Sequence, residues 1–351
     1  MSISVQKIEE SRINQVDFEN LTFGNIFTDH MFVCDYEDGA WNNPRITPYA
    51  PITLDPSAKV FHYGQAVFEG MKAYKDDKDD VYLFRPEDNH KRINISAARL
   101  AMPEFPKDFF FEGLEKLMAM DEKWIMKGEG NSLYIRPFVI ATESGVSASP
   151  STSYKFMIIC SPAQAYYSGS VKVLIAEKFS RSADGGVGFA KAAGNYAGQF
   201  YPTSLAVQEG YQQVIWTDAS SHEYLEEAGT MNVFVKINGE LITAPTSDRI
   251  LDGITRKSLI ALAEAEGIPV SIRSITVKEL VEAAEQGSLQ EMFGSGTAAV
   301  ISPISGFGYK GKDYEIGTVE NGTAEFLKKR LTSLQQNLSS DPFNWRHKIP
   351  K

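Results

Sequence analysis

Lys191 lies in the run from Asp184 to Tyr196, where its neighbours are glycines, alanines and Phe189. Small neighbours let a flat ring approach the backbone. An apolar surround disfavours the ammonium form and leaves a nucleophilic amine. Such an amine suits covalent attachment of an aldehyde cofactor such as pyridoxal phosphate. Taken alone, a solvated lysine in a glycine-rich loop is the commoner reading, so the rest of a cofactor site must come from elsewhere in the chain. It needs an acid opposite the ring nitrogen and a cradle for a phosphate. Glu226 and Glu227, followed by Ala228 and Gly229, offer the acid at the mouth of a strand. Three segments offer a cradle: the Leu251–Arg256 turn with its glycine before a helix, the small-residue stretch Gly294–Ala298, and Arg92 early in a helix. The chain has no GxGxxG run, so a dinucleotide site has no support.

Hydrophobic periodicity supplies the elements that must position these groups. In the first half, strands are expected at Phe23–Phe27, Met31–Cys34, Val81–Phe84, Ser132–Thr142 and Tyr154–Cys160. Helices are expected over Glu87–Met102 and Lys107–Lys127, and turns at Asn42–Pro44 and Asp55–Ser57. In the second half, strands are expected at Val171–Phe179, Val214–Trp216, Thr230–Ile237, Leu289–Phe293 and Ala298–Ile304. Asn238-Gly239 reads as a hairpin turn, and Thr276 with Glu279 three residues on reads as a capped helix start. Helices are expected over Tyr196–Glu209, Thr255–Glu266, Val277–Gln286 and Val319–Leu338. The division is a small α/β domain over 1–164, a linker over 165–178 and a larger domain over 179–351.

At 351 residues and net charge −10, with no basic run, the chain lacks the positive footprint of a nucleic-acid binder. Cys34 and Cys160 sit in apolar runs without a CxxC and read as buried reduced thiols. The five histidines are scattered, so no metal site is expected. The amino-terminal residues are polar and no apolar run is long enough for a bilayer, which makes the cytoplasm the expected compartment.

Read together, these runs resemble the branched-chain amino acid aminotransferases, fold-type IV enzymes that use pyridoxal phosphate. The resemblance rests on Phe23-Gly24 with Phe27–Met31, Phe68–Ala73, Leu83–Pro86, Ser132–Pro137, Lys191–Tyr196, Glu227–Phe234, Gly253–Arg256 and Glu291–Ala298, in the family's order along nearly the whole chain. It implies an α+β protein with a small amino-terminal α/β domain and a larger pseudo-barrel carboxy-terminal domain. It implies a homodimer that moves the amino group of leucine, isoleucine or valine to 2-oxoglutarate, reversibly. Lys191 matches the catalytic lysine that holds the cofactor, Glu227 the partner of its ring nitrogen, and Tyr196 the partner of its ring hydroxyl. Arg92, Ile254, Thr255 and Thr297 match the phosphate cradle. Phe23, Tyr63, Phe68 and Tyr134 match the side-chain pocket, and Arg136 the group that meets glutamate's distal carboxylate. The backbone amides of Thr297 and Ala298 match those that meet the substrate α-carboxylate.

Two departures from the family stand out. Some members carry a CxxC just after Gly-Thr-Ala; here those positions are Ala299 and Ser302, so no thiol switch is expected. The 143–148 loop, which in the family reaches the partner subunit's site, is poorly matched. Same-fold alternatives are a D-amino acid aminotransferase and an aminodeoxychorismate lyase. The Tyr134–Arg136 and Phe68–Gly70 runs favour the branched-chain member.

Overall fold

The structure, a computed structural model, describes residues 2–164, 169–317, 319 and 321–351. The chain forms two compact units. One takes in the described residues up to 164 with Ala190–Gly194 and Leu334–Lys351; the other takes in residues 169–189 and Asn195–Ser333.

In chain order the first unit contains β1 (Ser4–Val5), β2 (His30–Glu37), β3 (Ala40–Pro48), α1 (Lys59–Tyr63), β4 (Ala66–Phe68), β5 (Met71–Lys75) and β6 (Val81–Phe84). The helices α2 (Pro86–Arg99) and α3 (Lys107–Met120) follow, then β7 (Ser132–Ala141) and β8 (Tyr154–Ala163). The sheet order is β1-β3-β2-β8-β7-β5-β6, with β4 pairing β7. Strand alternation sorts the side chains of β7. Leu133, Ile135, Val139 and Ala141 enter the core beneath α2 and α3, while Tyr134, Arg136 and Phe138 occupy the other face. Phe32, Phe105, Phe110, Trp124 and Phe156 dominate that core, each burial stabilising by about 1.5–3 kcal/mol.

The Asn42–Pro44 stretch is no turn. It lies inside β3, where Asn43 takes φ 50° and the register against β2 shifts between Val33 and Asp35. The turn-forming residues there mark a bulge, which bends a strand without ending it. The Phe23–Phe27 run likewise makes turns and bends in place of a strand.

The second unit contains β9 (Val171–Ile175), α4 (Ala193–Ala197, which starts in the first), α5 (Phe200–Gln208), β10 (Gln213–Thr217), β11 (Leu225–Ala228), β12 (Met231–Ile237) and β13 (Glu240–Thr243). Next come α6 (Ile254–Ala265), β14 (Val270–Ile272), α7 (Val277–Glu285), β15 (Leu289–Gly296), β16 (Val300–Tyr309), β17 (Lys312–Glu315) and α8 (Thr323–Gln335). Its sheet runs β11-β10-β9-β16-β15-β12-β13-β14, and an additional β11–β12 pairing joins the ends of a six-strand ring. That ring is the pseudo-barrel, and the fold is α+β. Val173, Ile215, Val235, Leu280 and Phe307 are among the residues of its core. The β12–β13 hairpin turns at Asn238 and Gly239, φ 51° and 84°, the left-handed pair that such a turn requires. Thr276 caps α7, its hydroxyl accepting from the Glu279 N–H at 2.9 Å.

Two stretches that the sequence reading places in the large domain group with the first unit. Ala192 bridges Val67, and β18 (Arg346–Lys348) pairs with β6 at the sheet edge. Of the expected linker, residues 165–168 lie outside the described residues, and Val171–Ile175 is strand β9.

Candidate active site

In the first unit, β4 brings the lysine and the aromatic wall together. The Phe68 N–H donates to the Lys191 carbonyl at 3.0 Å, and the Lys191 N–H donates to Ser96 Oγ at 2.9 Å. Lys191 Nζ lies 4.6 Å from the Phe68 ring centre, within cation–π range. The Arg136 guanidinium carbon lies 4.8 Å from the same ring and 5.3 Å from that of Tyr134. Arg136 Nη2 donates to the Tyr134 hydroxyl at 3.0 Å, and Tyr134 meets Phe23 edge-on at 4.9 Å. Arg136 Nε is buried without a hydrogen-bond partner, an unsatisfied donor of the kind that a carboxylate would complete. Phe23, Phe68, Tyr134, Arg136 and Lys191 thus form one continuous cluster. Tyr63 stands apart: it is 44% exposed, and its hydroxyl donates to the Val146 carbonyl in the 143–148 loop.

Glu69, a residue without an evident role in the sequence, is fully buried beside this cluster. Arg92 grips it with Nε on Oε1 at 2.7 Å and Nη2 on Oε2 at 2.8 Å; Asn89 Nδ2 adds 2.7 Å to Oε2. Burial would raise its pKa, but Arg92, with Lys191 and Asn89, pulls it below the ordinary carboxylate value. The surround of Lys191 is therefore not purely apolar. Asn89, Arg92 and Ser96 occupy a polar stripe of α2, three and four residues apart, beside the apolar stripe of Ile93 and Ala97. The available signal was a lone acid inside the apolar run Val67–Met71.

In the second unit, Glu227 is 4% exposed on β11. Arg181 Nη2 pairs with its Oε2 at 2.5 Å, and Asn232 Nδ2 donates to its Oε1 at 3.1 Å. Glu227, Asn232, Ser295 and Ile301 form a single cross-strand row. Ser295 Oγ is buried there without a hydrogen-bond partner. The neighbouring Glu226 pairs with Arg249 instead, and burial pushes its carboxyl up to about 7.

Gly253 precedes α6, which opens with buried Ile254 and Thr255, has no side-chain cap and carries no acid in its first turn. Such an uncapped helix start offers backbone donors to an anion. Arg256 turns inward instead, donating to the Ala244 carbonyl at 2.7 Å. The Gly294–Gly296 stretch belongs to β15. The turn proper holds Thr297 and Ala298, both half-buried, and ends at Val300 with φ 61°. A β-branched residue in that region stores strain of about 1–3 kcal/mol, a feature concentrated at functional sites. Tyr196 is half-buried in α4.

Residues 66–307 match the model of the amino-transferase class IV family. The chain belongs to the class IV aminotransferases. Among class IV aminotransferases it is similar to branched-chain-amino-acid transaminase 1 of Bacillus subtilis, at 46% identity over 94% of each chain. The fold matches the norvaline-bound branched-chain aminotransferase of Thermoproteus uzoniensis with TM-score 0.76 and 24% identity, covering 92% of this chain and 100% of that one. It matches the pyridoxal-phosphate form of the Thermobaculum terrenum enzyme with TM-score 0.75 and 23% identity, over 91% and 98%. Among the described residues no group of side chains could hold a metal ion, and no helix is long and apolar enough to cross a membrane.

Proposed function

We infer that this class IV aminotransferase is a pyridoxal-phosphate-dependent branched-chain-amino-acid transaminase, exchanging the amino group reversibly between leucine, isoleucine or valine and 2-oxoglutarate. The observation that carries the reading is the Phe68 ring, approached by both Lys191 Nζ and the Arg136 guanidinium. An aromatic wall suits a branched aliphatic side chain, and a cation beside it suits the second carboxylate of glutamate. One pocket then serves both half-reactions.

The donor set fits the cofactor. A buried carboxylate, a hydroxyl without a partner in its row and an uncapped helix start suit a protonated ring nitrogen and a phosphate. Bound pyridoxal phosphate supplies the electron sink and carries the amino group between the two half-reactions. Glu227 would hold the proton on the ring nitrogen, and Tyr196 would donate to the ring hydroxyl oxygen. Ile254, Thr255 and Thr297 would hold the phosphate, and the same reading gives Arg92 to it. Lys191 Nζ, free of the cofactor while substrate is bound, would carry the proton between the substrate Cα and the cofactor C4′. Glu69 keeps a negative charge near that amine and orients Arg92. Phe23, Phe68 and Tyr134 exclude water from the aliphatic side chain, and Tyr63 closes on it only if the 143–148 loop that it is bonded to is covered. Arg136 pairs with the distal carboxylate, and the Thr297 and Ala298 amides take the α-carboxylate.

A homodimer in the cytoplasm belongs to the same proposal. Phe61 and Val146, 62% and 66% exposed, sit on α1 and the 143–148 loop that the Tyr63–Val146 bond ties together, and a partner subunit would cover them. An amino-donor panel with 2-oxoglutarate, including D-amino acids, tests the function. Turnover of L-leucine, L-isoleucine and L-valine supports it, and preference for D-amino acids overturns it.

A further inference from the structure

We propose that Asn232 is a positioning residue that fixes the separation between the ring-nitrogen acid and the phosphate turn. The proposal rests on the roles given above to Glu227 and the start of α6. Asn232 is 5% exposed and pairs with Glu227 across β11 and β12. Its Nδ2 donates twice: to Glu227 Oε1 at 3.1 Å and to the Leu251 carbonyl at 2.9 Å. The Leu251 N–H donates to the same Glu227 oxygen at 3.3 Å. On the other side of the amide, Oδ1 sits 1.9 Å from where a Cβ on Gly253 would be. Gly253 is therefore glycine because Asn232 occupies its side-chain space. One short side chain thus touches the acid, the turn and the residue that opens α6.

The residue type follows from those contacts. Aspartate would face Glu227 and the Leu251 carbonyl with an acceptor in place of a donor. Alanine would remove both Nδ2 bonds and keep the Leu251 N–H bond to Glu227. The ligand is a rigid ring with a nitrogen at one end and a phosphate at the other. A change in the spacing between its two anchors weakens the joined molecule, whereas each half alone can still settle at its own anchor.

The test titrates wild-type and Asn232→Ala apoprotein with three ligands: pyridoxal phosphate and pyridoxal, followed by absorbance, and inorganic phosphate, followed by calorimetry. The expected result is a loss of about tenfold or more in pyridoxal phosphate affinity, with pyridoxal and phosphate each within about twofold of wild type. An unchanged affinity for pyridoxal phosphate overturns the proposal, as does an equal loss for all three ligands, which would mark a merely structural role. If Asn232→Ala does not fold, Asn232→Ser takes its place in the same titrations. A wild-type protein that binds none of the three sinks the underlying assignment of the site, and is distinct from wild-type binding that the variant leaves unchanged.

Discussion

Lys191 and Phe68 are held together twice: the Phe68 N–H donates to the Lys191 carbonyl at 3.0 Å, and Lys191 Nζ stands 4.6 Å from the Phe68 ring centre. The backbone bond fixes where the amine starts, and the ring limits where it ends. Phe68→Ala should retain that backbone bond while removing the wall. The kcat/KM for leucine should fall by about tenfold to a hundredfold, the scale of about 1.4–2.8 kcal/mol. Steady-state kinetics on leucine checks this, and an unchanged kcat/KM would remove Phe68 from the pocket.

Arg136 offers a buried Nε without a partner beside the aromatic wall. Arg136→Ala should lower kcat/KM for glutamate and 2-oxoglutarate by about tenfold or more relative to the loss for leucine, because only the dicarboxylates lose an ion pair. Paired kinetics on leucine and glutamate measures the split. Equal losses would show that Arg136 merely packs.

Gly70 has no room for a side chain, since a Cβ there would lie 2.2 Å from the Tyr134 hydroxyl. Gly70→Ala should push Tyr134 away from Arg136 and cost about 1–3 kcal/mol of stability through overpacking. Thermal unfolding and the glutamate KM report the two effects. A variant with unaltered melting and KM would contradict the seating of Tyr134.

Burial raises both thiols, Cys34 to about 12, and Cys160 is fully buried. Thiols held as S–H are poor nucleophiles. Mild peroxide or iodoacetamide near pH 8 should leave transaminase activity unchanged over an hour-scale assay. Reversible inactivation restored by a reducing thiol would reveal a switch that the absent CxxC does not explain.

Glu226 carries a carboxyl raised by burial from the ordinary 4.5 to about 7, despite Arg249 beside it. A carboxyl raised in the folded state contributes stability below pH 4.5, and that contribution is lost as the pH rises through about 7. Glu226→Gln, which keeps an acceptor for Arg249, should flatten this part of the stability curve. At pH 8 it should match or exceed wild type, by about 3 kcal/mol at most. Denaturant unfolding at several pH values between 4.5 and 8 decides it; parallel wild-type and variant curves would contradict it.

Much of the fold was legible because periodicity is local. The strands around Tyr134 and Phe234, the Asn238-Gly239 hairpin and the Thr276 cap follow from neighbours a few residues apart. What the chain does at Asn42–Pro44 was not legible, since the same residues form turns and bulges and only the partner strand decides. The Lys191 run and the cradle segments announce themselves by composition. Glu69, Arg181 and Asn232 do not, because their importance comes from long-range partners: Arg92 lies 23 residues from Glu69, and Leu251 lies 19 from Asn232. The grouping of Ala190–Gly194 with the first unit is equally long-range, resting on contacts with Val67, Phe68 and Ser96.

The central claim is that Lys191 carries the cofactor in a transaminase of branched-chain amino acids. The most direct measurement reconstitutes wild-type and Lys191→Ala protein with pyridoxal phosphate, then records the visible spectrum before and after borohydride and the rate of glutamate formation from leucine and 2-oxoglutarate. Wild type should show a visible band that borohydride converts into a cofactor covalently attached at Lys191 by peptide mass, with rapid turnover. The variant should give no attachment and lose about three orders of magnitude or more in rate. Attachment at another lysine, or a Lys191→Ala variant that turns over leucine at the wild-type rate, would contradict the account.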